Sequence, residues 1–157
     1  MPGVTVTVSD GTATASASAS WQPIIASALF GAAGFTGEPL AIILGITYME
    51  SWDSTRLGGY ADAVGDLTLI GPKWGPSLGL AQIRTLRNPY IWGPLDRWRD
   101  AVKLQVLSFQ AAASWAISKQ GTDFTDWSVF NHGTYLPRKG IDYPIRVGHS
   151  QAAHWFD

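Results

Sequence analysis

The stretch that most restricts what this chain can fold into is Leu40–Ile83, LAIILGITYMESWDSTRLGGYADAVGDLTLIGPKWGPSLGLAQI. Its apolar run, Leu40–Met49, has Leu40, Ile43, Leu44 and Thr47 on one face and Ala41, Ile42, Ile46 and Met49 on the other. A helix that is apolar all round is buried all round. Ten residues are too few to cross a bilayer, so the run predicts a core helix over about residues 38–50. Thr36 or Gly37 caps it, Glu38 sits in its positive first turn, and Pro39 is tolerated there. Glu50 stands at the far end, where a negative charge opposes the helix dipole. An apolar wall disfavours the charged form of a carboxyl and raises its pKa. A carboxylic acid still protonated near neutral pH is what general acid catalysis needs.

A chain of 157 residues reads as one domain, and 46% apolar against 15% charged residues makes it globular. The net charge of −1 argues against nucleic acid, which needs clustered Lys and Arg, and gives no steering towards an anionic surface. Without cysteine there is no disulfide, no thiolate nucleophile and no thiolate metal ligand. The histidines are His132, His149 and His154, and the last two are five apart, off a single helical face. No metal and no cofactor are expected. No basic segment precedes an apolar one at the N-terminus, and no run approaches a membrane span, so membrane insertion is not expected. A monomer is expected.

Residues 1–20 are Ser/Thr/Ala-rich; Val4, Val6 and Val8 alternate as in a short strand, and the rest reads as a flexible arm. Residues 21–34 predict a first helix with Pro23 in its first turn, Ile24, Ala28 and Leu29 or Phe30 inward, and Gly34 as its stop. Between residues 51 and 76, Asp53, Gly58, Gly59, Asp62, Gly65, Asp66 and Gly71 mark a long loop of the functional kind. Within it Val64–Ile70 suits a hairpin strand, and Ser77–Ile83 then opens a helix or turn. Asp96 N-caps a long helix over about 97–119, with Val102, Val106, Phe109, Ala113 and Ala116 on one face. A short helix follows over Asp123–Phe130, then a loop over 131–149 and a last turn over Ser150–Phe156.

Glu50-Ser51 followed by Gly79-Leu80-Ala81-Gln82-Ile83 resembles the "ES … GLMQI" signature of the soluble lytic transglycosylase and goose-type lysozyme group. Ala33-Gly34-Phe35-Thr36-Gly37 is similar to the "AGFxG" lead-in of actinobacterial phage versions, and Phe130-Asn131-His132-Gly133 to the later "YNxG" motif. The resemblance spans roughly residues 22–135. It implies a mainly α, lysozyme-like α+β fold, with a small β-hairpin or loop region flanking a glycan cleft, in a catalytic domain over residues 21–157. It also implies cleavage of the β-1,4 bond between N-acetylmuramic acid and N-acetylglucosamine in peptidoglycan. The setting it suggests is a phage endolysin that passes from host cytoplasm to cell wall, or a virion tail component. The rival from another class is a non-catalytic glycan-binding or structural tail module; Glu50 favours the enzyme.

On that resemblance Glu50 is the general acid. An inverting hydrolase needs a second carboxylate across a water-sized gap of about 6.5–9.5 Å. A lytic transglycosylase needs none, because the sugar's C6 hydroxyl attacks and leaves a 1,6-anhydro product. Asp53, Asp62 and Asp66 are the candidates; Asp66 matches best the supporting Asp before the "GLMQ" segment. The group's further Asp, two residues past the Gln, is Arg84 here. Gln82 corresponds to the Gln near the catalytic Glu, and Gly79 to a close approach of main chain to substrate. Ser51 belongs beside Glu50. Phe130 stands where the group has Tyr, so Tyr135 or Tyr48 is the candidate replacement hydroxyl; Asn131 keeps the motif's amide. Trp52, Trp74 and Trp92 are candidates for stacking on sugar rings, and Trp115 for the core.

Overall fold

The computed structural model describes residues 3–9, 14–20, 23–52, 60–89 and 93–147. Asp53, Trp92, His149, His154 and the turn expected over 150–156 lie outside them. The described residues form a mainly α structure with a small antiparallel sheet, as expected. The helices are α1 (Ala26–Ala33), α2 (Gly37–Thr47), α3 (Leu107–Ile117) and α4 (Ser128–Asn131). Strands β1 (Gly3–Ser9) and β2 (Thr14–Ser20) pair antiparallel, from Gly3 opposite Ser20 to Ser9 opposite Thr14. The sequence suggested a strand only around Val4–Val8; backbone pairing makes a second over Thr14–Ser20, where large apolar residues are few. A separate sheet has the order β3 (Val64–Gly65), β4 (Trp74–Leu78), β5 (Ile83–Leu86).

Helix α1 starts later than expected. Ile25 is extended and bridges to Pro144, and the Ala26 amide donates to the Tyr143 carbonyl at 3.0 Å. Phe30 is buried, but Ile24 and Ala28 are exposed. The motif Ala33–Gly37 is a helix–helix corner: Gly34 ends α1, Thr36 N-caps α2, and Phe35 is buried between them. The Phe35 ring packs on Phe30, Trp115 and Phe124 at 6.0, 4.9 and 6.3 Å. Helix α2 is buried from Ile43 to Thr47. Gly45 admits the chain after α4 against it, because a Cβ there would lie 2.9 Å from the Tyr135 carbonyl.

The long helix over 97–119 is not formed. Short 3₁₀ turns at Asp96–Arg99 and Lys103–Gln105 precede α3, which begins only at Leu107. The reason is local: the Asp100 carboxylate accepts the amides of Val102 and Lys103, and Val106 is extended. Val102 and Val106 are therefore exposed, and Gln110, Ala111, Ala113, Ser114 and Ile117 face the core. The helix over Asp123–Phe130 likewise contracts to α4, since Asp123 accepts the Thr125 amide in a turn that competes with helix. The Val64–Ile70 strand is limited to β3 and then a 3₁₀ turn, Leu67–Leu69. Of Ser77–Ile83, expected to open a helix or turn, Ser77 and Leu78 end β4, residues 79–82 form a turn, and Ile83 starts β5.

One buried amide ties helix to sheet. Gln110 of α3 accepts the Leu80 amide at 3.0 Å and donates to the carbonyls of Ala61 (2.6 Å) and Leu104 (2.8 Å). A buried polar group so fully bonded fixes a unique arrangement of its neighbours.

Candidate active site

Glu50 is placed by a change in helix type. Thr47 is fully buried, and its hydroxyl back-bonds to the carbonyls of Ile43 (2.9 Å) and Leu44 (3.2 Å). The Ser51 hydroxyl does the same to the Thr47 carbonyl at 3.0 Å. Such bonds disturb the regular helix ladder, and directly after Thr47 it widens into a π-helical turn, Tyr48–Trp52, that carries Glu50. Turns of this kind are rare and recur at functional sites. From below, the Tyr143 hydroxyl donates to Thr47 Oγ1 at 2.5 Å, and its ring stacks on Trp52 at 5.8 Å. Burial pushes the Tyr143 phenol's pKa up, which keeps it a donor.

The half-buried Glu50 borders a cleft of about 350 Å³, whose lining includes Asp66, Ser77, Gln82, Arg84 and Trp127. Burial, and then the charge of Asp66, raise the Glu50 pKa from 4.5 to about 7. Asp66 borders the same cleft, between β3 and the 3₁₀ turn, with φ 55° in the left-handed region that Asp tolerates better than most residues. The sheet register sets Ser77 opposite Gly65, and the Ser77 hydroxyl donates to Asp66 Oδ2 at 2.8 Å.

Gln82 also lines the cleft, with its Nε2 committed to the carbonyls of Gly79 (2.9 Å) and Ala63 (3.1 Å). With both amide protons used, any bond it makes to a ligand is accepted by Oε1. The other predicted residues stand around the cleft rather than along it. Gly79 has φ 80°, and its close approach is to the Gln110 side chain, 2.4 Å from where a Cβ would be. Ser51 is buried against α2. Phe130 stacks on Tyr135 at 5.2 Å, and Asn131 donates to the Thr125 carbonyl at 2.8 Å. Tyr48 packs on Trp52 and Tyr143.

A family model described as a lysozyme-like domain matches residues 27–129, from α1 into α4, and includes every cleft residue named above. The chain belongs to the lysozyme-like family. No curated protein and no solved structure matches it. The family makes the chain a peptidoglycan-degrading enzyme of the glycosidase or lytic transglycosylase class.

In this lysozyme-like domain, sequence reasoning did not single out Ser77, Trp127, Arg99 or Asp126 as cleft residues. Ser77 orients Asp66, and Trp127 lines the cleft while its Nε1 donates to the Ala81 carbonyl at 2.8 Å. Arg99 and Asp126 pair at 3.0 Å along the same wall. A Trp three residues before Phe130-Asn131 was a usable signal; the Arg99–Asp126 pair, 27 residues apart, left none. Among the described residues no cluster of His, Asp or Glu is arranged to hold a metal ion, and no helix is long and apolar enough to cross a membrane.

Proposed function

We propose that this domain hydrolyses the β-1,4 bond between N-acetylmuramic acid and N-acetylglucosamine, with Glu50 as general acid and Asp66 as its partner. The observation that carries the reading is one cleft that holds Glu50 and Asp66 on different elements, with the third carboxyl, Asp126, paired to Arg99; burial and the charge of Asp66 raise the Glu50 pKa to about 7. Glu50 gives its proton to the leaving glycosidic oxygen. Asp66, held by Ser77, orients a water or offsets the positive charge that develops on the sugar ring. Gln82 Oε1 accepts a hydroxyl or amide proton of the glycan, and Trp127 offers it an apolar wall. The likeness of Ala33–Gly37 to the phage lead-in favours a phage lysin or a tail-associated module as the setting.

Arg84 supports a second reading. It stands where the goose-type pattern has a carboxylate, so Glu50 acting alone, with the C6 hydroxyl as nucleophile, is the transglycosylase alternative. Mass spectrometry of muropeptides released by the wild type and by Asp66→Asn separates the two. Hydrolysis with Asp66 predicts reducing muropeptides and a strongly impaired variant. Products lighter by one water, from an Asp66→Asn protein that remains active, would contradict it.

A further inference from the structure

Arg84 and Arg99 both line the cleft, but they are satisfied very differently. Arg99 donates from Nη2 to Asp126 at 3.0 Å and from Nη1 to the Arg84 carbonyl at 3.1 Å. Arg84 Nη2 is buried without a hydrogen-bond partner, and no carboxylate among the described residues pairs with this guanidinium. A buried donor left unmet costs free energy, more so on a charged group, and in native structures it calls for an explanation. Arg84 is not there to neutralise the acid, because burial and the like charge of Asp66 set the proton affinity of Glu50. Both guanidinium groups stand over the Trp74 ring, at 5.7 and 5.8 Å, which restricts their planes. The result is an oriented, unneutralised guanidinium in the wall of a glycan cleft.

We propose that Arg84 is a carboxylate-binding subsite for the peptidoglycan strand, with Arg99 and Trp74 fixing its orientation. The inference rests on the reading of the cleft as a glycan site. A planar guanidinium matches a carboxylate in a two-bond fork. Peptidoglycan offers that chemistry from two sources. The lactyl group of muramic acid has a free carboxylate where the peptide stem has been removed, and the stem carries its own carboxylates where it remains.

The test uses the full chain with Glu50→Gln, so that binding is measured without turnover. Four probes are titrated: glycan strands stripped of stems, strands with stems intact, and each of these after its carboxylates are capped with methylamine. A second protein adds Arg84→Gln. Capping is expected to weaken binding of one strand type roughly tenfold or more, the scale of a charge-assisted pair. Arg84→Gln is expected to abolish that difference. Loss confined to stripped strands assigns the lactyl carboxylate, and loss confined to stem-bearing strands assigns the stem. Equal binding of free and capped strands, or an undiminished difference in Arg84→Gln, overturns the inference and leaves the glycan reading intact. Absence of binding to every probe overturns both. If Arg84→Gln fails to fold, the capped and free probes on the first protein still decide the matter.

Discussion

At the scale of single residues, Glu50 is the proposed general acid, and its environment leaves a thermodynamic signature. Its folded-state pKa of about 7 lies above the ordinary 4.5, so between those values the folded chain holds a proton that the unfolded chain has released. Stability from this group is therefore full below about pH 4.5 and falls as pH rises towards 7, by about 3 kcal/mol in all. Glu50→Gln removes the titrating group. The variant is expected to gain in melting temperature relative to wild type by several degrees between pH 5 and pH 8, measured by thermal unfolding at matched ionic strength. A constant difference across that range would mean that Glu50 is not desolvated. The place of Glu50 in the cleft was legible through the likeness of Glu50-Ser51 to the family signature, because a lone acid at a helix end ordinarily faces solvent. Ser77 was not, since the register that sets it beside Asp66 emerges only once β3 and β4 pair. Gln110 was hidden because polar residues on a helix ordinarily face water.

At the scale of elements, the cleft depends on how α3 grips the turn between β4 and β5. Gly79 is the point of contact: its φ of 80° and the Gln110 side chain beneath it leave no room for a Cβ. Gly79→Ala is expected to destabilise the fold by about 1–3 kcal/mol, from left-handed backbone strain and displacement of Gln110. Denaturant unfolding measures it, and a change within about 0.5 kcal/mol, the range of an ordinary surface substitution, would show that the turn yields freely. Helices α1 and α2 were readable because Gly34 and Thr36 punctuate their apolar pattern. The start of α3 was misread because Asp100, inside an apparently helical stretch, uses its side chain to cap a turn. Apolar spacing alone does not detect that competition.

At the scale of the whole molecule, the named cleft residues come from Glu50 to Trp127, and the family match covers residues 27–129. Neither the proposed catalytic residues nor the family match extends into residues 1–20. Removing residues 1–20 is therefore expected to leave cell-wall clearing within about twofold of wild type, since no general acid or base is lost. A turbidity assay on purified walls checks this, and a loss of tenfold or more would give the hairpin a part in the site.

The measurement that bears most directly on the account is the rate of muropeptide release from purified cell walls by Glu50→Gln. It is compared with wild type at pH 6, with thermal unfolding confirming that both are folded. A positioned general acid contributes on the order of 10²–10⁴-fold, so release is expected to fall by that factor. Release above about a tenth of the wild-type rate, from a folded Glu50→Gln protein, would contradict the assignment of Glu50 as the acid.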